Sequence, residues 1–273
     1  MNSKLHHEHQ EHPTLEEYLR ETNREIVHYC ISNGGNAELA KNLAISAKRC
    51  GIRLVFLGTD SASLKSLAGQ CDVVDYREID PYRLSMCNEL PTEAVDFGTD
   101  LFARLCWLKY GALKAILHHD KTAVFLDTDV VIERNYESEL TSYLGDSNFD
   151  GLIQSNHIDL PCAGFFAFSP SAKDLVDNIF NDAFITSCGY AKGYTSLGGL
   201  SDQGFWTNVV FKPTNHKPLM RLMLPPKRLY PNGNYFYENS DSIANDCRII
   251  HFNCVKGQER KVEKMKQYGK WYL

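Results

Sequence analysis

No stretch of this sequence approaches the ~18 to 20 consecutive apolar residues that a membrane-spanning helix needs. The polar opening residues lack the apolar core of a secretory signal. The expectation is therefore a cytoplasmic protein or a soluble catalytic domain, with no integral membrane segment. Positive charge is also short: 29 Lys and Arg face 34 Asp and Glu, a formal net charge of −5. That balance excludes a nucleic-acid surface spread over the whole chain, so any anionic partner must be held locally. The nine cysteines are odd in number and never form Cys-x-x-Cys. Neither a disulfide framework nor a zinc ribbon follows, and small buried hydrophobes in a reducing compartment are expected instead. There is no internal repeat and no low-complexity linker.

What is present is an ordinary globular composition, 43% hydrophobic and 23% charged over 273 residues, enough for one large α/β unit or two small ones. Residues 1–24, with His6, His7, His9 and His12 among acidic residues, read as a flexible polar tail. From Glu25 a β-α-β-α-β rhythm begins. Ile26–Ile31 reads as a strand, Asn36 as the cap of a helix ending at Gly51, Leu54–Leu57 as a second strand, Ser63–Gly69 as a helix, and Asp72–Tyr76 as a third strand. Such a rhythm predicts a parallel sheet covered on both faces. Thr99 then caps a long helix with an apolar stripe from Leu101 to Leu117, and Ala123–Leu126 forms a strand running into Asp127-Thr128-Asp129. Beyond it the order is mixed: apolar segments at 152–153 and 164–168, a helix over 171–185, a Gly-rich stretch over 189–199, helix-like 201–210, strand 248–252 and a basic helix from Lys256. One unit over 25–273 is expected, with a nucleotide half to about residue 131 and an acceptor half after it.

The chemistry concentrates at strand ends, where ligands collect in open α/β sheets. Asp127 and Asp129 follow four apolar residues, and their spacing of two puts both carboxylates on one side of an extended backbone. Two hard oxygen ligands on one side suit Mg²⁺ or Mn²⁺ with positions left for diphosphate oxygens, and without a cation they repel. His251 stands at the end of Arg248-Ile249-Ile250 in the same way and is the expected third ligand. Asn253 follows, and Lys256-Gly257 opens a helix whose free N–H groups, dipole and ammonium would face an anion.

Four segments carry a resemblance to a known family: Phe125-Leu126-Asp127-Thr128-Asp129, Cys162-Ala163-Gly164-Phe165, Ser201-Asp202-Gln203, and His251-Phe252-Asn253 with Lys256-Gly257 and Gly269-Lys270-Trp271. Over residues 25–273 the chain resembles the nucleotide-diphospho-sugar transferases, and more narrowly the retaining galactosyl, xylosyl and arabinosyl transferases of GT-A fold. The resemblance implies a Rossmann-like, mostly parallel sheet flanked by helices, and transfer of a hexose or pentose from a nucleotide diphosphate sugar, a UDP-sugar first, to a hydroxyl of a glycan or glycoprotein. By the same resemblance Ser32 and Asn33 would touch the nucleoside and Arg104 the diphosphate or sugar. Asp127, Asp129 and His251 would hold Mn²⁺ (or Mg²⁺), with Thr128 beside them in the donor site. Lys256, Gly257 and Asn253 would clamp the phosphates, and Ala163 and Gly164 would let the sugar approach the backbone. Asp202 and Gln203 would reach the sugar as catalytic residues, with Gln203 opposite the leaving group. Retention through a short-lived oxocarbenium ion needs no strong nucleophile, whereas inversion needs a carboxylate base, a role open to Asp202.

Two rival readings stand beside this one. A module could bind the nucleotide sugar without turning it over, using the same residues. Alternatively, Asp127-x-Asp129 with Gly145-Asp146-x-x-x-Asp150 mimics the motifs of haloacid-dehalogenase-like phosphatases, although Asp146 follows too closely in the chain. A final expectation is that segments 189–199 and 256–273 close over the donor to exclude water.

Overall fold

In a computed structural model, described over residues 12–77, 81–88, 99–156, 158–189, 202–212 and 217–273, the expected rhythm appears. Strand β1 (Ile26–Ser32) leads through helix α2 (Ala37–Arg49) to β2 (Leu54–Gly58), and α3 (Ser61–Leu67) leads to β3 (Asp72–Asp75). The long helix α4 (Asp100–His118) delivers β4 (Thr122–Leu126) alongside β1. These four strands are parallel. Apart from His28 in β1, their interiors are continuous apolar runs, as expected of strands covered on both faces. The caps are the ones the sequence offers: Thr99 Oγ1 accepts from Phe102 N at 3.2 Å, and Gly51 leaves the end of α2 at φ +70°.

The chain then makes β5 (Val130–Ile132), α5 (Glu137–Leu144), β6 (Gly151–Ser155) and β7 (Pro161–Phe168). Helices α6 (Lys173–Ile179), α7 (Asp182–Ser187) and α8 (Asp202–Phe205) follow, the last continuing into a wide, π-type turn over Trp206–Phe211. β8 (Leu222–Met223), α9 (Gly233–Ile243), β9 (Ile249–His251) and α10 (Gln258–Gln267) complete the order. Seven strands form one sheet in the order β3-β2-β1-β4-β7-β6-β8, in which β7 is antiparallel to both β4 and β6. β5 and β9 pair antiparallel as a separate ribbon.

Several expectations are corrected. The polar tail ends earlier than residue 24: Leu15–Glu21 form helix α1, closed by a Thr14–Glu17 capping box. Its Leu15 and Leu19 are buried in the core, and Asp75 N donates to Pro13 O at 2.8 Å, so this segment covers the β3 edge. The helix expected over 171–185 is two helices, because Asn181 caps a new one, its Oδ1 accepting from Phe184 N at 2.9 Å. Leu101, counted in the apolar stripe of α4, is exposed. Helix α9 was not foreseen: its buried contacts, Phe236 and Ile243, stand seven apart in a segment otherwise polar and aromatic. The Gly-rich segment 190–199 and Ser201 lie outside the described residues.

Sheet order explains where a site must form. The chain leaves β1 toward β2 on one side and returns to β4 on the other, so a crevice opens between the carboxyl ends of β1 and β4. Ser32-Asn33 and Asp127 end those two strands. Because β7 runs antiparallel to β4, its first residues, Pro161 to Gly164, lie at the same end of the sheet.

Candidate active site

Asp127 continues β4, and its N–H donates to Gly164 O at 2.9 Å. Asp129 opens β5, whose Val130 is in register with His251 of β9, and Phe252 N donates to Asp129 O at 2.9 Å. The ribbon thus carries the histidine to the two carboxylates: His251 Nε2 lies 3.2 Å from Asp129 Oδ1 and 3.8 Å from Asp127 Oδ2. One ligand atom from each of the three falls within 4.8 Å of the others. His251 and Asp129 are buried, with side chains 3% and 5% exposed, while Asp127 keeps 40% and faces the mouth.

The orientation of His251 is set from behind. Gln154, fully buried on β6 at a register shift of the sheet, donates through Nε2 to the carbonyls of Tyr230 and Pro231, each at 3.0 Å. Its Oε1 is thereby the free acceptor, and it stands 2.9 Å from His251 Nδ1. That assigns the Nδ1 proton to the Gln154 bond and turns Nε2 toward the carboxylates, the tautomer in which imidazole ligates a metal. Cys162 Sγ also approaches Nδ1, at 3.6 Å. Gly164 makes the room: a methyl group there would stand 2.7 Å from both ring nitrogens of His251 and nearer still to Cε1. The histidine ring fills that space.

Electrostatics separate the two aspartates. Burial opposes ionisation of Asp129, but Lys261, its Nζ 2.6 Å from Oδ2, and His251 hold its carboxyl well below the usual range. Asp127 is raised, by desolvation within the cleft and by Asp129, against the pull of Lys109. His251 is pushed up, since the carboxylate of Asp129 overcomes the effect of burial. Two carboxylates and an imidazole nitrogen fit Mn²⁺ or Mg²⁺: the 3.2 and 3.8 Å separations suit ligands placed about 2.1 Å from one ion.

The residues expected to reach the sugar are placed differently from one another. Asp202 is enclosed: Lys109 Nζ stands 2.7 Å from its Oδ2, Tyr110 Oη donates to the same oxygen at 3.0 Å, and Gln203 N donates to Oδ1 at 2.8 Å. Lys109 also donates to Ala163 O at 2.9 Å. Burial lowers the proton affinity of that ammonium, and Asp202 more than restores it. Gln203 Oε1 accepts from Ala163 N at 3.0 Å, and its Nε2 donates to Pro161 O. Both backbone groups of Ala163 are thus bound by the α4 and α8 side chains. Both oxygens of Asp202 are thus engaged by groups of its own chain.

Other expected residues are brought near without being shown at the ligands. Ser32 and Asn33 are buried at the end of β1, with Ser32 Oγ donating to Asn33 O at 2.9 Å. Gln258, at the start of α10, donates to Gly35 O and Asn36 Oδ1, which joins the helix to that loop. Gly257 precedes the helix at φ +86°, and Lys256 is exposed. The lysine that pairs with Asp129 is Lys261. Asn253 bonds within the chain, its Oδ1 accepting from Gly233 N at 2.7 Å and its Nδ2 donating to Cys162 Sγ at 3.4 Å. Arg104 is half-buried on α4, where its carbonyl accepts from Cys87 Sγ at 3.3 Å. Thr128, half-buried, lies between the aspartates. Asp150 of the phosphatase-like motif pairs with Arg221 at 2.6 Å just before β6. As β6 runs in the direction of β4, that puts Asp150 at the opposite end of the sheet from Asp127.

The segment 256–273, expected to close over the donor, packs against the rest of the chain at several points. Met265 is buried, Asn42 Nδ2 donates to Lys270 O at 3.0 Å, and Tyr272 N donates to Asn42 Oδ1 at 2.7 Å. No helix among the described residues is long and apolar enough to cross a membrane.

Lys109, Gln154 and Lys261 escaped sequence reasoning, although two left a signal. Lys109 interrupts the apolar stripe of α4, four residues after Leu105 and four before Leu113. Lys261 stands four residues before Met265, on the same inward face of α10. Gln154 had no such mark.

Residues 72–265 match the family model described as nucleotide-diphospho-sugar transferase. A UDP-galactose:fucoside alpha-3-galactosyltransferase of Dictyostelium discoideum is 26% identical over 198 residues, which are 66% of this chain and 30% of that protein. The chain thus spans less than a third of that relative's length. Among solved structures, the bifunctional glycosyltransferase WbbM superposes with a TM-score of 0.59 at 12% identity, over 92% of this chain and 49% of the other. The galactosyltransferase LgtC, in complex with donor and acceptor sugar analogues, gives 0.53 at 11%, over 90% and 96%. Mouse xyloside xylosyltransferase 1 gives 0.53 at 12%, over 84% and 98%. With the family model covering most of its length and the sheet order of a GT-A fold, this chain belongs to the nucleotide-diphospho-sugar transferase family of glycosyltransferases.

Proposed function

We propose that this chain transfers a hexose or pentose from a UDP-sugar to a hydroxyl of a glycan or glycoprotein, with retention at the anomeric carbon and with Mn²⁺ or Mg²⁺ as cofactor. The observation that carries the reading is the approach of Asp127, Asp129 and His251 at the β1/β4 crevice, with the imidazole turned to its ligating tautomer by Gln154. A divalent ion held by these three would neutralise charge developing on the leaving diphosphate. Around it, Ser32 and Asn33 bind the nucleoside, Arg104 and the start of α10 with Lys256 and Gly257 face the phosphates, and Ala163 with Gln203 borders the sugar.

Retention is supported by what surrounds Asp202. Inversion needs a carboxylate beside the acceptor hydroxyl, and this carboxylate is sealed by Lys109 and Tyr110. In the retaining route the departing diphosphate takes the acceptor proton, and Gln203 needs only to border the anomeric centre. The name of the Dictyostelium relative supports UDP-galactose as the first donor to try, with glucose and xylose next.

The test is a thermal-shift screen of nucleotide sugars with and without Mn²⁺, followed by NMR of the released or transferred sugar. Stabilisation by a UDP-sugar only with Mn²⁺, and an α-configured product from an α-linked donor, are expected. Stabilisation only by guanosine or cytidine donors, or full turnover in excess chelator, overturns the donor or metal assignment. Donor binding without any hydrolysis or transfer across a panel of acceptors would leave a binding module.

A further inference from the structure

Asp129 is already served on both oxygens by its own chain. Oδ1 faces His251 Nε2 at 3.2 Å, and Oδ2 holds the Lys261 ammonium at 2.6 Å. The carboxylate is 5% exposed and the lysine side chain 25%, so the pair is largely withdrawn from water on the acid's side and open on the base's side. A dication that takes Asp129 as a ligand meets an ammonium bonded to that same group, and at such distances two cations repel by several times the thermal energy even at an effective dielectric of about 20.

The lysine can leave Asp129 only within the reach of its stem, because its helix is fixed at both ends. Gln258 bonds to Gly35 O and Asn36 Oδ1 at the start of α10, and Met265 is buried one turn after Lys261. The same Gln258 contacts place this helix start beside the end of β1, across the crevice from Asp127. An anion lying between the end of β1 and the carboxylates is therefore the group best placed to receive the displaced ammonium.

We infer that Lys261 is a displaceable counter-ion, which occupies Asp129 in the free protein and makes divalent-metal binding conditional on a nucleotide diphosphate that offers its ammonium another partner. This rests on reading Asp127, Asp129 and His251 as the metal site. The device keeps the buried carboxylate of Asp129 compensated before ligands arrive and couples the two ligands, each strengthening the other by the same factor.

Calorimetric titration of Mn²⁺ into the full chain, with and without saturating UDP, tests it on the wild type, Lys261→Met and Lys261→Arg. Without UDP, Lys261→Met binds Mn²⁺ about tenfold more tightly than wild type, and the factor by which UDP tightens Mn²⁺ binding falls by about the same amount. Lys261→Arg keeps the wild-type pattern. Lys261→Gln, which retains a hydrogen-bond donor for Asp129, supplies the comparison should the methionine variant fail to fold. Equal or weaker Mn²⁺ binding by the neutral variants in the absence of UDP overturns the inference while leaving the metal site standing. No Mn²⁺ binding by the wild type, even with UDP, overturns both.

Discussion

Replacing Gly164 by alanine tests the way this site is built more sharply than removing a ligand. The new methyl group would stand 2.7 Å from Nδ1 and Nε2 of His251 and nearer to Cε1. Carbon and nitrogen need about 3.5 Å, so the ring nitrogens must retreat by about 0.8 Å and Cε1, which stands nearer, by more. Gln154 behind Nδ1, itself held by two carbonyls, and the β5–β9 register resist that retreat. Overpacking of this kind costs about 1–3 kcal/mol, which a sheet of seven strands can absorb, so the variant is expected to fold. Metal ligation tolerates only about 0.2 Å, so Nε2 is lost as a ligand. The expected result is a thermal midpoint lowered by a few degrees and no further stabilisation by Mn²⁺ with UDP. Differential scanning calorimetry with and without ligands reads both. A Gly164→Ala variant that binds Mn²⁺ and UDP like wild type, yet no longer discriminates UDP from UDP-sugar, refutes the argument and returns this glycine to the sugar.

Gln154→Leu removes the acceptor that fixes the His251 tautomer, and a weakening of Mn²⁺ affinity of about 10–100-fold is expected by titration calorimetry with the fold retained; unchanged affinity would mean that Gln154 does not orient the ligand. Asp202→Ala strands the buried Lys109 charge and should cost about 3–5 kcal/mol in urea unfolding, and Asp202→Asn, which also removes the counter-charge, should lose most of the same amount; an Asp202→Asn variant as stable as wild type would refute the pairing. His28 is buried and its pKa is depressed to about 3, by desolvation first and then by Arg24. A depressed histidine contributes stability that is complete above its unfolded value near 6.5 and is lost as pH falls toward 3, so between pH 7 and pH 4.5 the wild type should lose about 2–3 kcal/mol from this group. His28→Leu should flatten that slope in denaturant titrations at the two pH values, and an unchanged slope would show that His28 is not held neutral.

Much of this protein is written locally. The parallel half follows from short apolar runs alternating with capped helices, because a strand buried on both faces has no polar positions to spare. Asp127 and Asp129 at one strand's exit and His251 at another's were legible for the same reason: where an apolar run stops at a polar residue, the chain has reached the edge of the sheet. Distant pairing was not legible. Lys261 meets Asp129 across 132 positions, and Gln154 meets His251 across 97. Nothing near either residue in the chain selects those partners; the β5–β9 ribbon and the β6 register shift do. The basic helix shows the limit most plainly, since several lysines at its start and middle look alike in sequence, and only the burial of Met265 turns Lys261 inward. Likewise Asp202 carries the chemistry of a base in the sequence, and only the folding of α4 beneath it brings Lys109 and Tyr110 against its oxygens. A residue's chemistry is set by its side chain, but its protonation, partners and accessibility are set by the groups that the tertiary fold brings within a few ångströms.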